Sequence, residues 1–305
     1  MQYNDDMNKD ITIVTHNGSF HADDVFAVAT LHLAFPDKNI TVIRSRDAQK
    51  FLLADFLVDV GGSYDPDNNK FDHHQTGGAG VHDNGIPYAS FGLVWKKFGN
   101  SVCDSEEVAH IIENKIVMFV DAVDNGVTLS ESIYEGVRPY TISDYLYSFW
   151  IDEHVSNEEV DQIFHRVMSL AKDLLKREIN KAKNILNEGK EVLDIYESSN
   201  DKRIIVLDSN LAWGNVLIDK VEPLVVVYPS LDGLRWNAKA VRKSVDTFES
   251  RIQFPIEWAG KMGEELVAVT GVPDALFCHN QRFMVSAKTK EGVLALVSKI
   301  INNTQ

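Results

Sequence analysis

The chain has 305 residues, of which 44% are apolar, and it carries a formal net charge of −15. This length and apolar content allow a substantial core and two domains. The acidic balance disfavours a broad duplex DNA footprint, because proteins that bind a duplex carry an extended basic surface, whereas a small phosphate-bearing substrate or a single strand end remains compatible with it.

Targeting and cysteine patterns point to an intracellular protein. No apolar run is long enough to span a membrane, and residues 1–10 lack the features of a targeting peptide. The two cysteines, Cys103 and Cys278, form no CxxC pair, which suits a reducing compartment and leaves His, Asp and Glu as metal ligands. We expect a soluble protein without membrane association, in the cytoplasm by default, with the nucleus and mitochondrion as alternatives.

Alternating apolar runs and turns in the first half of the chain predict alternating strands and helices. β-branched runs favour strands, and helical spacing of apolar residues favours helices. This alternation is typical of a largely parallel sheet covered by helices. The predicted strands are Ile11–Thr15, Ile40–Ile43 and Phe56–Val60, and the predicted helices are Ala22–Phe35, Tyr88–Phe98 and Ser105–Asp124.

A long helix is predicted to follow. Ser156 and Glu159 form a capping-box pattern at its start, and its apolar stripe continues until Gly189. Beyond it, strands are predicted at Ile204–Leu207, Leu224–Tyr228 and Trp236–Val241, with a closing helix at Glu291–Ile301. We therefore expect an N-terminal domain of residues 1–155, a connecting helix of residues 156–190, and a smaller C-terminal α/β domain of residues 191–305.

Histidines and aspartates are concentrated in three short stretches. Ligands bind beyond the carboxyl ends of strands in open α/β sheets, and the first two stretches follow predicted strands. Such repeated clustering of side chains that can bind a metal favours a functional site over exposed polar residues without a specific role. The stretches contain His16, His21, Asp23 and Asp24; then Asp59 with Asp72, His73 and His74; then Asp121 and Asp124.

The donor set of these stretches indicates hard divalent ions. Imidazole and carboxylate without thiolate suit Mn²⁺ or Mg²⁺, with Zn²⁺, Co²⁺ and Fe²⁺ as competitors. More than four candidate ligands imply two ions, and two ions that share a carboxylate form a clamp suited to attack on phosphorus. Asp121 is preferred to Asp124 as a ligand; acidic groups near a helix C-terminus oppose the helix dipole and call for a compensating cation.

Five motifs in the chain resemble those of the DHH phosphoesterase superfamily, and closely resemble those of the melanocyte proliferating gene family within it. Together they are highly specific and span nearly the whole chain. The resemblance implies two α/β domains with the active site in the cleft between them, manganese-type ions, and 3′-to-5′ exonuclease activity on RNA. The motifs are THNGSFHADD at residues 15–24, VDVGGSYDP at 58–66, FDHHQ at 71–75, DAVDNG at 121–126 and FESR at 248–251.

The resemblance also implies roles for individual residues. The superfamily's common first motif has aspartates four and six residues after its histidine, where this chain has Phe20 and Ala22. We expect His21 and either Asp23 or Asp24 to take over those roles. Carried over residue by residue, the pattern implies that His74 faces the phosphate and that the metal ligands are His16, Asp23, Asp59, His73 and Asp121.

Two further parts of the site are predicted around these ligands. Asp59 is expected to bridge the ions. Asp72 and His73 are neighbours in an extended segment, so their side chains point to opposite sides and cannot both face one ion. Asp72 is therefore expected to orient an imidazole. The superfamily's glycine-rich motif is absent from the second domain. In its place, Arg242, Arg251 and His279 are expected to neutralise the phosphate.

We expect structural roles for most of the other histidines and for three tryptophans of the second half. Four histidines, His32, His110, His154 and His165, lie in helical patterns or loops without acidic clusters and are expected to be structural. His82, in the loop from Gly77 to Gly85, is a candidate gating residue. Tryptophans in the second half, Trp213, Trp236 and Trp258, are expected in the core or at a domain interface rather than stacked on bases.

The residues predict a metal-dependent phosphodiesterase that acts by two-metal hydrolysis on single-stranded RNA or short oligonucleotides, and the resemblance implies a 3′-to-5′ exoribonuclease. Mn²⁺ is favoured, with Mg²⁺, Co²⁺ and Zn²⁺ as alternatives, and self-association into a homo-oligomer is left open. One rival is a pyrophosphatase or small-nucleotide phosphatase, since the same chemistry serves any phosphoanhydride or monoester. Another is a non-catalytic metal-binding interaction module.

Overall fold

The computed structural model describes residues 10–150 and 156–301, so His154 lies outside the described residues. The chain divides into two compact units, Met1–Lys183 and Asn184–Gln305. Each unit contains one five-stranded sheet with helices, so the predicted α/β class is confirmed. None of the helices in these described ranges is both long and apolar enough to cross a membrane.

The sheet of the first unit is parallel except at one edge. Its strand order is β2-β1-β3-β5-β4, and only β4 runs antiparallel to its neighbour. Because β1, β3 and β5 are adjacent and parallel, the residues that follow them lie along the same edge. The three predicted strands are confirmed, but β4 and β5 were not predicted. The strands are β1 (Ile11–Thr15), β2 (Ile40–Arg44), β3 (Phe56–Val58), β4 (Tyr64–Asp65) and β5 (Lys70–Phe71).

One buried helix forms the centre of the first unit. Every residue from Ala22 to Leu31 in α1 is buried, as expected for a helix that is apolar on nearly all sides. It packs on α3, where the rings of Phe26 and Phe91 stack at 5.1 Å. The helices before residue 150 are α1 (Ala22–Ala34), α2 (Ala48–Phe51), α3 (Ser90–Cys103), α4 (Glu106–Ile112), α5 (Met118–Asp124) and α6 (Ile142–Tyr147).

The predicted helix at residues 105–124 is interrupted by one wider turn. Residues Glu113–Val117 form a π-helical turn that joins α4 to α5. Ser105 caps the start, its hydroxyl accepting a hydrogen bond from the backbone of Val108 at 3.2 Å. Turns of this kind are frequent at functional sites.

A helix of 42 residues, α7 (Asn157–Ser198), follows. The predicted capping box is confirmed: the backbone of Ser156 donates to Glu159 at 3.0 Å, and the backbone of Glu159 donates to the Ser156 hydroxyl at 3.3 Å. The predicted end at Gly189 is wrong. A glycine inside a helix costs only about 1 kcal/mol, and packing overrides it here, since a Cβ at Gly189 would lie 3.1 Å from Cγ2 of Val216.

The second unit is built on a mostly antiparallel sheet. Its strand order is β6-β7-β8-β10-β9, and only β6 and β7 are parallel. The predicted strands are confirmed, and β9 and β10 were not predicted. Trp258 lies in the core as expected, 4% exposed. The elements are β6 (Ile204–Val206), α8 (Gly214–Ile218), β7 (Val225–Pro229), β8 (Trp236–Ala240), α9 (Gly263–Thr270), β9 (Ala275–Cys278), β10 (Met284–Ala287) and α10 (Lys290–Ile301).

Candidate metal centre

Three neighbouring parallel strands deliver histidines and aspartates to one edge of the first sheet. His16 follows β1, Asp59 follows β3, and the Asp72-His73-His74 run follows β5. Ligands bind at the carboxyl edge of such sheets. Asp59 has a φ of 53°, in the left-handed region that aspartate tolerates better than most residues. The chain therefore leaves the sheet sharply at the residue that carries the central carboxylate.

The first turn of α1 contributes a second group of side chains. The backbone of His21 donates to Oδ1 of Asp24 at 2.9 Å, which caps the helix. Asp23 and Asp24 are both fully buried, near the positive end of the helix dipole. The other Asp24 oxygen, Oδ2, lies 3.3 Å from Nε2 of His16. Both aspartates that the sequence left as alternatives thus belong to this cluster.

Asp59 lies at the centre of the cluster. Its Oδ2 is 3.2 Å from Nε2 of His16, and its Oδ1 is 3.4 Å from Nε2 of His73. Oδ1 also lies 3.4 Å from Nδ1 of His74 and accepts a hydrogen bond from the Ser90 hydroxyl at 2.9 Å. A carboxylate with histidines on both oxygens belongs to two of the groups that could hold a metal ion.

Asp124, at the end of α5, completes the cluster. Its Oδ2 is 3.2 Å from Nε2 of His73, and its Oδ1 is 3.6 Å from Nδ1 of His21. Asp23 approaches the same His73 nitrogen at 3.9 Å. Potential ligand atoms lie within 4.8 Å of one another in three groups: His16, His21 and Asp59; Asp59, His73 and His74; and His21, Asp23 and Asp124.

Several buried atoms in the cluster have no hydrogen-bond partner among the described residues. They are His16 Nε2, His73 Nε2, Asp23 Oδ1 and Asp24 Oδ2. Buried polar atoms are normally paired, and an unpaired group that is otherwise well packed suggests an ion or water that it would contact. Nitrogen and carboxylate donors without sulfur suit Mn²⁺ or Mg²⁺, with Zn²⁺ and Co²⁺ as competitors. These residues therefore fit a divalent metal.

The electrostatics of the cluster favour a cation. Burial and the charge of Asp59 raise the pKa of Asp23 well above its usual value. Burial raises the pKa of Asp24 to about 7, with His16 opposing the shift. Burial also disfavours the charged form of Asp59, but the close imidazoles of His16 and His73 outweigh it and hold its pKa well below the usual range. The cluster cannot keep all its carboxylates ionised without added positive charge.

Asp121 lies one helical turn away from Asp124 and has different partners. Its carboxylate accepts a hydrogen bond from the backbone of Gly92 at 3.0 Å and lies 2.8 Å from Nε2 of His82. The other nitrogen of His82 is 3.1 Å from Glu113. His82 is only 2% exposed, so it is a packing residue held between two carboxylates rather than an exposed gate. Asp121 as a ligand stays a prediction.

Asp72 fixes the orientation of His74. One Asp72 oxygen lies 2.8 Å from Nδ1 of His74 and accepts the backbone N–H of His74 at 3.0 Å. Its other oxygen accepts the backbone N–H of Gly62 at 2.6 Å. Asp72 is buried, whereas the side chain of His74 is 60% exposed. The exposed imidazole is therefore held by a buried carboxylate.

The three residues predicted to hold phosphate lie in the second unit and differ in environment. The guanidinium of Arg251 donates to the carbonyls of Ile218 at 2.6 Å and Pro223 at 3.0 Å, which ties down the backbone. Arg242 lies 5.9 Å from the ring centroid of Phe248. Nδ1 of His279 accepts the backbone N–H of Gln281 at 3.0 Å. Of the three, Arg251 has its donors most fully occupied.

Ser90 is the cluster residue that sequence reasoning missed. Its hydroxyl donates to Asp59 and its backbone N–H donates to Asp23 at 3.3 Å. A serine at the start of a predicted helix was the available signal, and such a residue is normally read as a cap. Asp124 was recognised as a candidate, but Asp121 was preferred to it. The spacing of two aspartates on one helix face does not say which of them points to His73 and His21.

Comparison with known proteins places the chain in a family. The family model MYG1_exonuc, described as "Uncharacterised protein family (UPF0160)", matches residues 12–301. The chain belongs to the MYG1 family. This confirms the resemblance to the melanocyte proliferating gene family that the sequence motifs indicated.

Relatives from distant organisms match along nearly the whole chain. A MYG1 protein of Dictyostelium discoideum is 28% identical over 97% of this chain and 98% of its own length. A MYG1 protein of Chlamydia trachomatis is 32% identical over 94% of this chain and 96% of its own length. A Rattus norvegicus protein named MYG1 exonuclease is 28% identical over 92% of this chain and 82% of its own length.

Proposed function

We propose that the protein is a divalent-metal-dependent phosphodiesterase that removes nucleotides from the 3′ end of single-stranded RNA or short oligonucleotides. The observation that carries this proposal is the buried Asp59 carboxylate, which has His16 on one oxygen and His73 on the other, at the carboxyl edge of a parallel sheet. The rat, mouse and cattle relatives are named MYG1 exonuclease, which supports a nuclease over other phosphoesterases.

The ions would be held by residues of the first unit. Up to two ions would be held by Asp59 together with His16, His21, Asp23, His73 and Asp124, and Asp121 stays a candidate ligand. Mn²⁺ is favoured because the site mixes imidazoles with several carboxylates. When bound, such ions stabilise the negative charge that develops on the phosphoryl oxygens during hydrolysis. We infer that the centre is of the DHH phosphoesterase type.

Other side chains would orient the phosphate and neutralise its charge. Asp72 pairs with Nδ1 of His74, which leaves Nε2 of the exposed imidazole for a phosphoryl oxygen. Such a preorganised donor stabilises developing charge at little reorganisation cost. Arg242 and His279 are the second-unit candidates for the same task. Arg251 supports them by holding the backbone at residues 218–223.

The test is hydrolysis of a ten-nucleotide single-stranded RNA carrying a 5′ label, with Mn²⁺ or with chelator. A 3′-to-5′ exonuclease produces a ladder of shortened labelled products. His73→Ala should lower the rate at least about 100-fold, because even residues that only support metal ligands typically contribute 10–100-fold. His110→Ala is the matched control, since its side chain is 67% exposed and outside the cluster. Full activity in His73→Ala would contradict the proposal.

The same protein samples separate the rival functions. Release of phosphate from pyrophosphate, without RNA shortening, would identify a pyrophosphatase. Release of phosphate from nucleoside monophosphates would identify a small-nucleotide phosphatase. Calorimetric binding of Mn²⁺ without turnover of any of these substrates would identify a non-catalytic metal-binding module.

A further inference from the structure

A cavity of about 550 Å³ in the second unit contains none of the proposed metal ligands in its lining. It lies beside β8, and its volume falls within the range of about 300–1,000 Å³ that is usual for small-molecule sites. Aromatic side chains and two cations dominate its lining. These residues are Trp213, Tyr228, Phe248, Phe283, Lys239 and Arg242.

The charge of this cavity is opposite to that of the protein. The chain carries a net charge of −15, yet no aspartate or glutamate is among the described residues that line the cavity. Within the described ranges, neither Lys239 nor Arg242 forms an ion pair with a carboxylate. By contrast, a cavity of about 640 Å³ in the first unit is lined by Glu106, Glu107 and Glu113. The second-unit cavity therefore favours an anionic ligand.

The aromatic rings of the cavity lie next to its cations. Nζ of Lys239 is 5.9 Å from the Trp213 ring centroid and 5.8 Å from that of Phe283. The guanidinium of Arg242 is 5.9 Å from the ring centroid of Phe248. A ligand with a flat ring and an attached anionic group can contact both kinds of side chain at once.

Phe248 is the most unusual of the lining residues. It is 93% exposed, although a phenylalanine ring gains more from burial than most side chains. Aromatic side chains of this kind bind nucleobases by stacking, and this stacking tolerates any base because every base has a π-face. Gln281 and Asn210 add hydrogen-bonding groups to the lining, which suit the polar edges of a base.

We propose that this cavity binds one nucleotide unit, with the base against Phe248 and neighbouring rings and the phosphate against Lys239 and Arg242. The inference deepens the proposed function and rests on it for the class of substrate. The nucleotide is either a free nucleoside monophosphate or the terminal unit of an oligonucleotide, because both present the same base and phosphate.

The decisive measurement is calorimetric titration of the full chain with AMP in the presence of EDTA, so that the metal centre cannot contribute. Lys239→Ala and Phe248→Ala should each weaken AMP binding about tenfold, which corresponds to about 1.4 kcal/mol. Adenosine and inorganic phosphate, titrated separately, should each bind at least tenfold more weakly than AMP.

Matched controls come from the same unit. Lys202→Ala removes a lysine that pairs with Glu197 and lies 4.3 Å from the Tyr196 ring, outside the cavity. Leu231→Ala removes an apolar side chain that is 90% exposed. Both should bind AMP like the parent protein. Because Phe248 is equally exposed, Phe248→Ala should keep the parent melting temperature, so loss of binding cannot be ascribed to unfolding.

Competition identifies the source of the nucleotide. Displacement of AMP by a ten-nucleotide RNA supports the terminal unit of a strand, and failure to displace AMP supports a free mononucleotide. The proposal is overturned by the absence of AMP binding at millimolar concentration, or by equal binding in the parent protein, Lys239→Ala and Phe248→Ala.

The experiment also separates this inference from the proposed function. AMP binding that depends on Lys239, without Mn²⁺-dependent RNA hydrolysis, would support the cavity and contradict the nuclease. RNA hydrolysis by the parent protein, without AMP binding to that protein at millimolar concentration, would support the nuclease and overturn the cavity proposal.

Discussion

Two aspartates three residues apart on α5 have different partners. Asp124 lies against His73 and His21, where it can take part in metal binding. Asp121 is fully buried and paired with His82 and the Gly92 backbone. Burial raises the pKa of Asp121 to about 6, although His82 opposes the shift. Asp124 therefore faces the cluster, whereas Asp121 is held by contacts outside it.

We therefore expect Asp124→Asn to affect Mn²⁺ binding and Asp121→Asn to affect the stability of the fold. Asp124→Asn should weaken Mn²⁺ binding at least tenfold, measured by calorimetry, with little change in the free energy of unfolding. Asp121→Asn should lower the free energy of unfolding by about 1–3 kcal/mol, because it disturbs buried hydrogen bonds. Urea denaturation in EDTA measures the second effect.

The reverse pattern would assign the metal to Asp121, as the sequence predicted. Asp104→Asn serves as a control for both measurements, since its side chain is 81% exposed. The sequence showed that both aspartates share a helix face. It did not show which one faces the cluster, because Asp121 pairs with His82, which is 39 residues away in the chain and is brought close only by tertiary packing.

The close contact between α3 and α5 depends on Gly92, because glycine has no side chain. A Cβ at Gly92 would lie 1.8 Å from Oδ2 of Asp121 and 2.8 Å from the Tyr88 ring. Both neighbours are buried. The glycine thus lets the Asp121 carboxylate reach the backbone N–H at the start of α3.

Gly92→Ala should lower the free energy of unfolding by about 1–3 kcal/mol, because buried atoms must move to admit the methyl group. Gly214→Ala is the matched control, since its added Cβ would meet nothing within 4 Å. Alanine there should be neutral or stabilising by up to about 1 kcal/mol. Thermal and urea denaturation of both variants measure the difference. Equal stability of Gly92→Ala and the parent protein would contradict the described packing.

Elements with a clear apolar pattern were predictable from the sequence, and several strands without such a pattern were not. The run Ile11–Thr15 and the apolar stretch of α1 carry clear patterns. Strands β4 and β5 have two residues each, which is too short for any alternation to be visible. Yet β5 is the strand that carries the Asp72-His73-His74 run to the sheet edge. The site was recognised from its residue types, whereas its assembly from three adjacent strands required the structure.

The charge balance of the whole first unit makes its stability depend on pH and metal together. Burial raises the pKa of Asp24 to about 7 and that of Asp23 well above its usual value. The metal-free native state therefore holds more protons than the unfolded state from about pH 4 to pH 7. The contribution of these groups to stability is present at low pH and is lost as pH rises through that window.

Mn²⁺ should raise the melting temperature more at pH 7.5 than at pH 5.0. At the lower pH, protons on the carboxylates compete with the ion more strongly. The proton of His73 also competes with the ion. Burial lowers the pKa of His73, but Asp124 and Asp59 outweigh burial and raise this pKa to about 10. Differential scanning calorimetry with Mn²⁺ or EDTA at both pH values measures the shift. Asp23→Asn should reduce it at pH 7.5. An equal Mn²⁺ effect at both pH values would contradict the assignment of these carboxylates to the metal.

The wider turn at Glu113–Val117 sets the angular position of everything that follows it. One extra residue in a helix rotates the subsequent side chains by about 100° around the axis. Without it, α5 would continue α4 in phase, and Asp124 would face away from His73. Deleting a residue there would make the helix more regular, but it would turn Asp124 out of the candidate metal centre. The wider turn therefore allows α4 and α5 to present their side chains in different directions.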